Sequence, residues 1–543
     1  MEPRPAPMSW YAWGDPARAT PLSDRLRGLV AQVLGAELRD LPPVAEADVR
    51  MPASALPPDA HAALAAVVGA AHVRTDPAAR LRHAGGRSTV DLLRRRSGDA
   101  EDAPDAVVLP ADHDGVLAVL AACAAHGVAV VPFGGGTSVV GGVEPLRGRF
   151  GAVVALDLRR LDRLVEFDAE SGTAVLQAGL RTPDADALLA GHGHTLGHLP
   201  QSYEYATIGG YAATRSSGQA SSGYGRFEDM VLALRVATPR GTLALGGAPG
   251  SAAGPDLRRL FLGSEGVFGV VTEVTVRVRP LPDARHDEAW SFPDLPAGAA
   301  SLRRLARLPG PPTTVRLSDA TETFVNAALA GADRADPPGG AAPPPAGCLA
   351  VVGFDGTAAD VSARRAAAGA VLAAAGGTPL GTGPVADWRH TRFRGPYLRD
   401  ALLAAGVLSE TLETATTWSR LLPLYEAVGG AVRGALEGPE GGVLVLCHVS
   451  HTYPEGASLY FTVVAPAGAD PVARWRRAKR AAGDAIAAHG ATITHHHAVG
   501  TDHLPWMPAE VGPLGAEVLR AVKSALDPAG VLNPGKLIPP AGD

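Results

Sequence analysis

The sequence predicts an α+β fold spread over more than one domain, and three observations carry that prediction. The chain has 543 residues, enough for two or three substantial cores. Helix-like and strand-like patterns follow one another without a fixed repeat, which argues against a solenoid. From residue 101 onward, short apolar or alternating runs such as "DAVVLP", "VAVVPF" and "GTAVLQAGL" predominate, as buried strands should.

Residues 1–100 read as a helical N-terminal segment, with "LSDRLRGLVAQVLG" and "DAHAALAAVVGAA" broken by prolines. In 101–282, "DAVVLP" and "VAVVPF" flank "DHDGVLAVLAACAAHG", a helix with an acidic start and Gly127 at its end. That is a β-α-β unit. "LVEFD" and "GTAVLQAGL" follow with "AESG" as a hairpin turn, and "VLALRVATPRGTLALG" is a second hairpin. "GVVTEVTVRVRPLP" alternates as a half-buried strand, with Pro280 expected to end it. This region is read as one domain rich in short strands. A second α+β domain spans 283–495, with helices ("DVSARRAAAGAVLAAAGG") and strands ("LAVVGFDG", "GVLVLCHVS", "SLYFTVVAP"). "GADRADPPGGAAPPPAG", 331–347, reads as a poorly ordered surface loop. "YLRDALLAAGVLSETLE" reads as a helix. Residues 496–543 form a C-terminal helical segment that ends in a Pro- and Gly-rich tail and is expected to pack back on the first domain.

Net charge is −6 without long blocks, so the basic stripe of a nucleic-acid binder is missing. Three cysteines and no CxxC argue against a disulfide framework or a thiolate zinc site. The first residues lack a signal-peptide pattern, and the apolar run ending at His126 is too short for a bilayer. A cytoplasmic protein is expected, with peripheral contact to a membrane left open.

"VPFGGGTSVVGGVEP", 131–145, packs five glycines into residues 131–142 just after a strand. A nucleotide P-loop needs Lys-Ser/Thr after its last glycine, and none follows. The dinucleotide fingerprint needs a third glycine where Val139 stands. A plain surface turn would leave unexplained two further clusters, "ATIGGYAATRSSGQASSGYGRFED" (206–229) and "LGSEGVFGVVTE" (262–273). Small residues at strand or helix ends leave backbone N–H groups open to anions. Three such loops suit a long ligand with a pyrophosphate and a flat ring, as in FAD.

The order "PFGGGTS", "SYEYATIGGYAATRSSGQ", "YGRFEDMV", "GSEGVFGVV" resembles the FAD domain of the vanillyl-alcohol oxidase/p-cresol methylhydroxylase (PCMH-type) flavoproteins, and within them the alkyldihydroxyacetonephosphate (alkylglycerone-phosphate) synthase family. The resemblance implies a PCMH-type two-subdomain FAD-binding domain and a substrate or cap domain with an antiparallel sheet. It places FAD against Pro132, Phe133, Gly134, Gly135, Gly136, Thr137 and Ser138. Further contacts are implied at Gln201, Ser202, Tyr203, Thr207, Gly210, Thr214, Arg215, Ser216 and Ser217, and at Glu265, Gly266, Gly269, Val270 and Val271. Where the family has an acidic residue, this chain has Gln201. The histidine that tethers FAD in many relatives is replaced by Gly136, so the flavin is expected to be non-covalent.

"TITHHHAVGTDH" places His495, His496 and His497 where the family has its own triple histidine. Taken alone the run fits a partly exposed loop. No metal is expected, because adjacent side chains do not converge on one ion as i, i+4 pairs do. The resemblance makes the three histidines a proton relay and Tyr460 the donor to the departing carboxylate. Arg316 and Arg399 match two active-site arginines suited to a phosphate monoester, and His448 stands where the family carries a further arginine. The implied reaction exchanges the acyl chain of acyl-dihydroxyacetone phosphate for a fatty alcohol, through a flavin N5 adduct and with no net redox change. A FAD-linked oxidase or dehydrogenase of a small 2-hydroxy acid, of D-lactate or glycolate type, stays open as the alternative, since "LDPAGVLNPGKL" is shared with such enzymes. A flavin scaffold without activity would leave the His, Tyr and Arg positions unexplained. The partners expected are a lipid-like small molecule and a second copy of the chain, and no nucleic acid.

Overall fold

The computed structural model describes residues 7–332 and 347–540, so most of the low-complexity run at 331–347 lies outside the described residues. The helix His113–His126 joins the strands Ala106–Val108 and Val128–Phe133, as the β-α-β reading predicts. Asp112 caps it by accepting from Gly115 N at 2.8 Å, and Gly127 closes it in the left-handed region at φ 62°. The two strands are not neighbours. Ala152–Asp157 lies between them, parallel to both and buried along its whole length, as a parallel strand covered on both faces should be. Val73–Arg74, inside the region read as helical, adds an antiparallel edge strand to this sheet. Two residues are too few to show a period, which is why the pattern missed them.

A second, five-stranded antiparallel sheet runs in the order Leu164–Asp168, Thr173–Gln177, Val270–Arg277, Val231–Thr238, Gly241–Gly246. Both predicted hairpins are present in it. Pro280 does not end the long strand, which stops at Arg277. Instead Arg279–Pro280 pairs with His194–Thr195 as an edge, where a missing N–H costs nothing. Met507, Leu519, Val522 and Leu526 of the C-terminal helix Met507–Leu526 pack on the core beneath this sheet.

The third sheet has seven antiparallel strands, in the order Thr378–Gly381, Ala284–Phe292, Cys348–Gly356, Thr314–Ser318, Leu444–Thr452, Gly456–Pro466, Val407–Thr417. One face holds Leu317, Cys447, Phe461 and Leu412, buried with Leu302, Leu424, Val428 and Trp475 of the helices Leu295–Leu305, Leu421–Leu436 and Pro471–Ala488. The single helix read into "YLRDALLAAGVLSETLE" is corrected here. The helix Gly395–Ala404 ends before Gly406 (φ 73°), and Val407–Thr417 is a strand paired over its whole length with Gly456–Pro466. The pairing along eleven residues outweighs the helix propensity of Leu and Glu.

Candidate active site

Residues directly opposite in an antiparallel pair share a face, and residues two apart on one strand do too. His448 faces Tyr460 across one pair and Ser318 across the other, and Tyr460 faces Glu413. Arg316, two residues from Ser318, therefore joins His448, Tyr460 and Glu413 in a row across the face turned away from the helical core. His451, three residues after His448, would point the other way in a regular strand. A register shift between Val449 and His451 brings it opposite Ser458 on the same face.

The contacts follow this row. Arg316 Nη2 donates to Glu322 Oε1 at 2.9 Å, and its Nη1 lies 3.0 Å from His448 Nε2. The rings of His448 and Tyr460 stack at 4.9 Å, and Tyr460 stands 6.1 Å from His496 and 5.7 Å from His497. The histidine trio closes the row from above. Glu413 Oε1 accepts from the backbone N–H groups of His495, His496 and His497 at 2.9–3.0 Å and from Thr494 Oγ1 at 2.7 Å. The same segment reaches the glycine region: Val499 N and Gly500 N donate to Glu265, and Thr501 N donates to Val140 O. Residues 494–501 are thus a strap pinned at one end by the large sheet and at the other by the loops.

Burial opposes the charge of Glu413, but the positive charge that the adjacent imidazoles take up in acid, together with the hydrogen bonds it accepts, holds the carboxyl well below the ordinary range. Burial acts oppositely on the rings. His495 falls well below its usual value, His496 to about 4 and His451 to about 3, so they are neutral at pH 7. Burial raises Tyr460 to about 12, so its hydroxyl keeps its proton. His497 Nδ1 is buried and has no hydrogen-bond partner among the described residues. Nitrogens of His451, His495 and His496 come within 4.8 Å of one another, closer than adjacent side chains were expected to allow. Those of His451 and His495 are already engaged, however: His451 with Gly218 O (3.0 Å) and Ser450 Oγ (2.9 Å), His495 with Tyr453 and His496.

The glycine loop is clamped on both sides. A Cβ at Gly134 would collide with Thr207, one at Gly135 with the carbonyl of Tyr205, and one at Gly86 with the carbonyl of Ser138. Gly136 has φ +66°, and a side chain there would strike the Phe133 ring. The backbone N–H groups of Gly135, Gly136, Thr137 and Ser138 have no acceptor among the described residues. Ser217 Oγ and Ser264 Oγ are likewise buried and unpaired. A run of free amides plus orphaned hydroxyls fits a phosphate-bearing, hydrogen-bonding cofactor.

The other cofactor candidates are distributed unevenly. Thr207 caps the helix Ile208–Thr214 through Gly210 N, and Thr214 Oγ1 donates to Gly210 O. Ser216 Oγ meets His198 Nε2 at 3.0 Å. Pro132 packs under Gly266, and Gly269 leaves no room for a side chain beside Val236. Val270 and Val271 are core residues of their strand, Tyr203 donates to Asp186, Arg215 pairs with Glu228, and Gln201 and Ser202 lie in an exposed to half-buried turn. Glu265 turns its carboxylate to the strap, and burial raises it to about 7.

Arg399 is not brought into the row. It pairs with Asp400 and donates to the carbonyl of Arg87 at 2.7 Å, behind the Gly86–Ser138 contact. Glu413, Glu322, His451 and Tyr453 escaped the sequence reading. The alternation "VLSETLET" after Gly406 was the one signal that could have exposed Glu413 as a strand residue.

Free amides in a glycine loop, set against a histidine and tyrosine row on a large antiparallel sheet, suit a flavin-dependent enzyme. Residues 104–245 match the family described as FAD binding domain, and residues 281–537 the family of FAD linked oxidases, C-terminal domain. The structure is similar to a p-cresol methylhydroxylase with substrate bound in fold alone (16% identity, TM-score 0.66, 88% of this chain and 96% of that one). It is similar to a solved alkyldihydroxyacetonephosphate synthase at 26% identity and TM-score 0.81, covering 97% and 99% of the two chains. The sequence is 36% identical to the alkyldihydroxyacetonephosphate synthase of Trypanosoma brucei brucei, over 86% of this chain and 78% of that protein. The chain belongs to the alkyldihydroxyacetonephosphate synthase family, and its cofactor is FAD.

Proposed function

We propose that the protein exchanges the acyl chain of acyl-dihydroxyacetone phosphate for a fatty alcohol, without net redox change. The observation that carries this reading is the row Arg316–His448–Tyr460 facing three neutral histidines, one of them with a free buried nitrogen. Bound FAD supplies the electron-accepting ring on which the exchange depends. A neutral imidazole can take a proton from the substrate carbon and return it, and a protonated Tyr460 can donate to the departing carboxylate. Arg316 holds the phosphate end, sharing its guanidinium with Glu322, while His448 replaces a second permanent cation. Arg399 acts from behind, steadying the Arg87 segment against the glycine loop.

The glycine loop holds the cofactor's pyrophosphate without a covalent bond, because position 136 has no side chain and no space for one. Acid precipitation should therefore leave colourless protein and a yellow supernatant. The reading brings with it a lipid-like substrate met at a membrane surface and a second copy of the chain. Among the described residues no helix is long and apolar enough to cross a membrane.

An anaerobic assay tests the reaction. Fatty acid release should depend on added fatty alcohol and consume no oxygen. Flavin bleached by a 2-hydroxy acid, with no response to acyl-dihydroxyacetone phosphate, would overturn the reading in favour of a FAD-linked oxidoreductase.

A further inference from the structure

We propose that Tyr453, His495 and His496 form a hydrogen-bonded chain that carries protons between the buried site and solvent. This deepens the reaction proposed above and rests on it. Tyr453 Oη lies 2.5 Å from His495 Nε2, and His495 Nδ1 lies 2.9 Å from His496 Nδ1. Each contact joins the two ends of a ring, so the three side chains are in series. His496 ends the series beside Tyr460 and His497, at 6.1 and 4.9 Å between ring centroids.

The other end lies in a turn whose next two residues reach solvent. Tyr453 occupies the turn between Leu444–Thr452 and Gly456–Pro466, half-buried and followed by the exposed Pro454 and Glu455. The turn is fixed: Tyr453 N donates to Gly456 O at 2.8 Å, and Trp418 Nε1 donates to Tyr453 O at 3.0 Å. Arg226 donates to the carbonyl of His495 at 2.6 Å, holding that ring's backbone as well.

A neutral imidazole has one donor and one acceptor nitrogen, so this chain has two consistent arrangements. Tyr453 O–H donates to His495 Nε2 while His495 Nδ1–H donates to His496 Nδ1, or all donors are reversed. When His496 accepts a proton from substrate, it passes one from Nδ1 to His495 Nδ1. His495 then passes one from Nε2 to the Tyr453 oxygen, and the Tyr453 hydroxyl proton leaves to water. One proton enters and one leaves, and the return step runs the chain backward. Rings protonated at rest would have no acceptor to offer, so the neutral state imposed by burial is the one the chain needs.

Tyr453 touches neither substrate nor the reacting atoms and is a positioning and relay residue. Tyr453→Phe, made in the FAD-loaded full chain, should leave FAD affinity and KM unchanged and lower the melting temperature by only a few degrees, the cost of one lost hydrogen bond. Its kcat should fall about ten-fold or more and recover with added imidazole buffer. A kcat within about two-fold of wild type overturns the proposal, as does a loss that imidazole does not repair. A loss that accompanies loss of FAD also overturns it. If the variant does not fold, the wild-type solvent deuterium effect decides. A bowed proton inventory, with more than one proton in flight, supports the chain, and no isotope effect overturns it. A wild type that turns over no acyl-dihydroxyacetone phosphate removes the synthase reading and this inference together. An active wild type with an unimpaired Tyr453→Phe removes only this inference.

Discussion

Glu413→Leu should unfold the strap and abolish turnover. The leucine leaves three backbone N–H groups, that of His495 buried and those of His496 and His497 half-buried, and the Thr494 hydroxyl without their acceptor. Each such group costs about 1–3 kcal/mol, so the sum is on the order of 5 kcal/mol. That is comparable to the whole net stability of about 5–15 kcal/mol of an ordinary domain. Glu413→Gln should behave differently. It keeps the carbonyl-type acceptor on which four of the bonds converge and loses only the charge. The fold should survive with a modestly lowered melting temperature, and activity should drop without vanishing. Melting curves and alcohol-dependent fatty acid release check both variants. A Glu413→Leu protein with wild-type melting and turnover would sink the idea that this carboxylate holds the trio.

The same cluster sets a pH dependence whose sign is determined. His451, His495 and His496 have depressed pKa values in the folded protein, so below about 6.5 the unfolded chain binds protons first. Their contribution is complete above that pH and is lost as pH falls toward 4. Glu413, also depressed, contributes above the ordinary glutamate range and loses its share below it. Both effects point the same way. Denaturant midpoints should fall from pH 6.5 to 4, and these groups add no slope above pH 7.

The second large effect is expected at the glycine loop. In Gly135→Ala the new methyl meets the carbonyl of Tyr205, and neither backbone can yield without parting the loop from the 205–207 segment. The free amides at 135–138 would then no longer converge. FAD uptake should weaken on the order of a hundred-fold, about 3 kcal/mol, and the purified variant should lack most of its flavin absorbance. Gly151→Ala is the control, because a Cβ there meets nothing within 4 Å. Full flavin content in Gly135→Ala would show that the clamp against Tyr205 does not shape the cofactor loop.

Local features could be read directly from the residues. Asp112 and Gly127 mark the ends of one helix, the alternating apolar runs mark the hairpins, and the glycine and histidine clusters mark where chemistry concentrates. These signals act within a few residues, through caps, turns and period, and need no partner elsewhere in the chain. The meeting of Glu413 with the trio, 82 to 84 residues away, had no such signal. Nor did the entry of His451 into the row, which depends on one register shift, or the withdrawal of Arg399 to Arg87. Cross-strand register and the packing behind it choose these neighbours. A slip of a single residue would turn every side chain of a strand to the opposite face while leaving its sequence pattern unchanged.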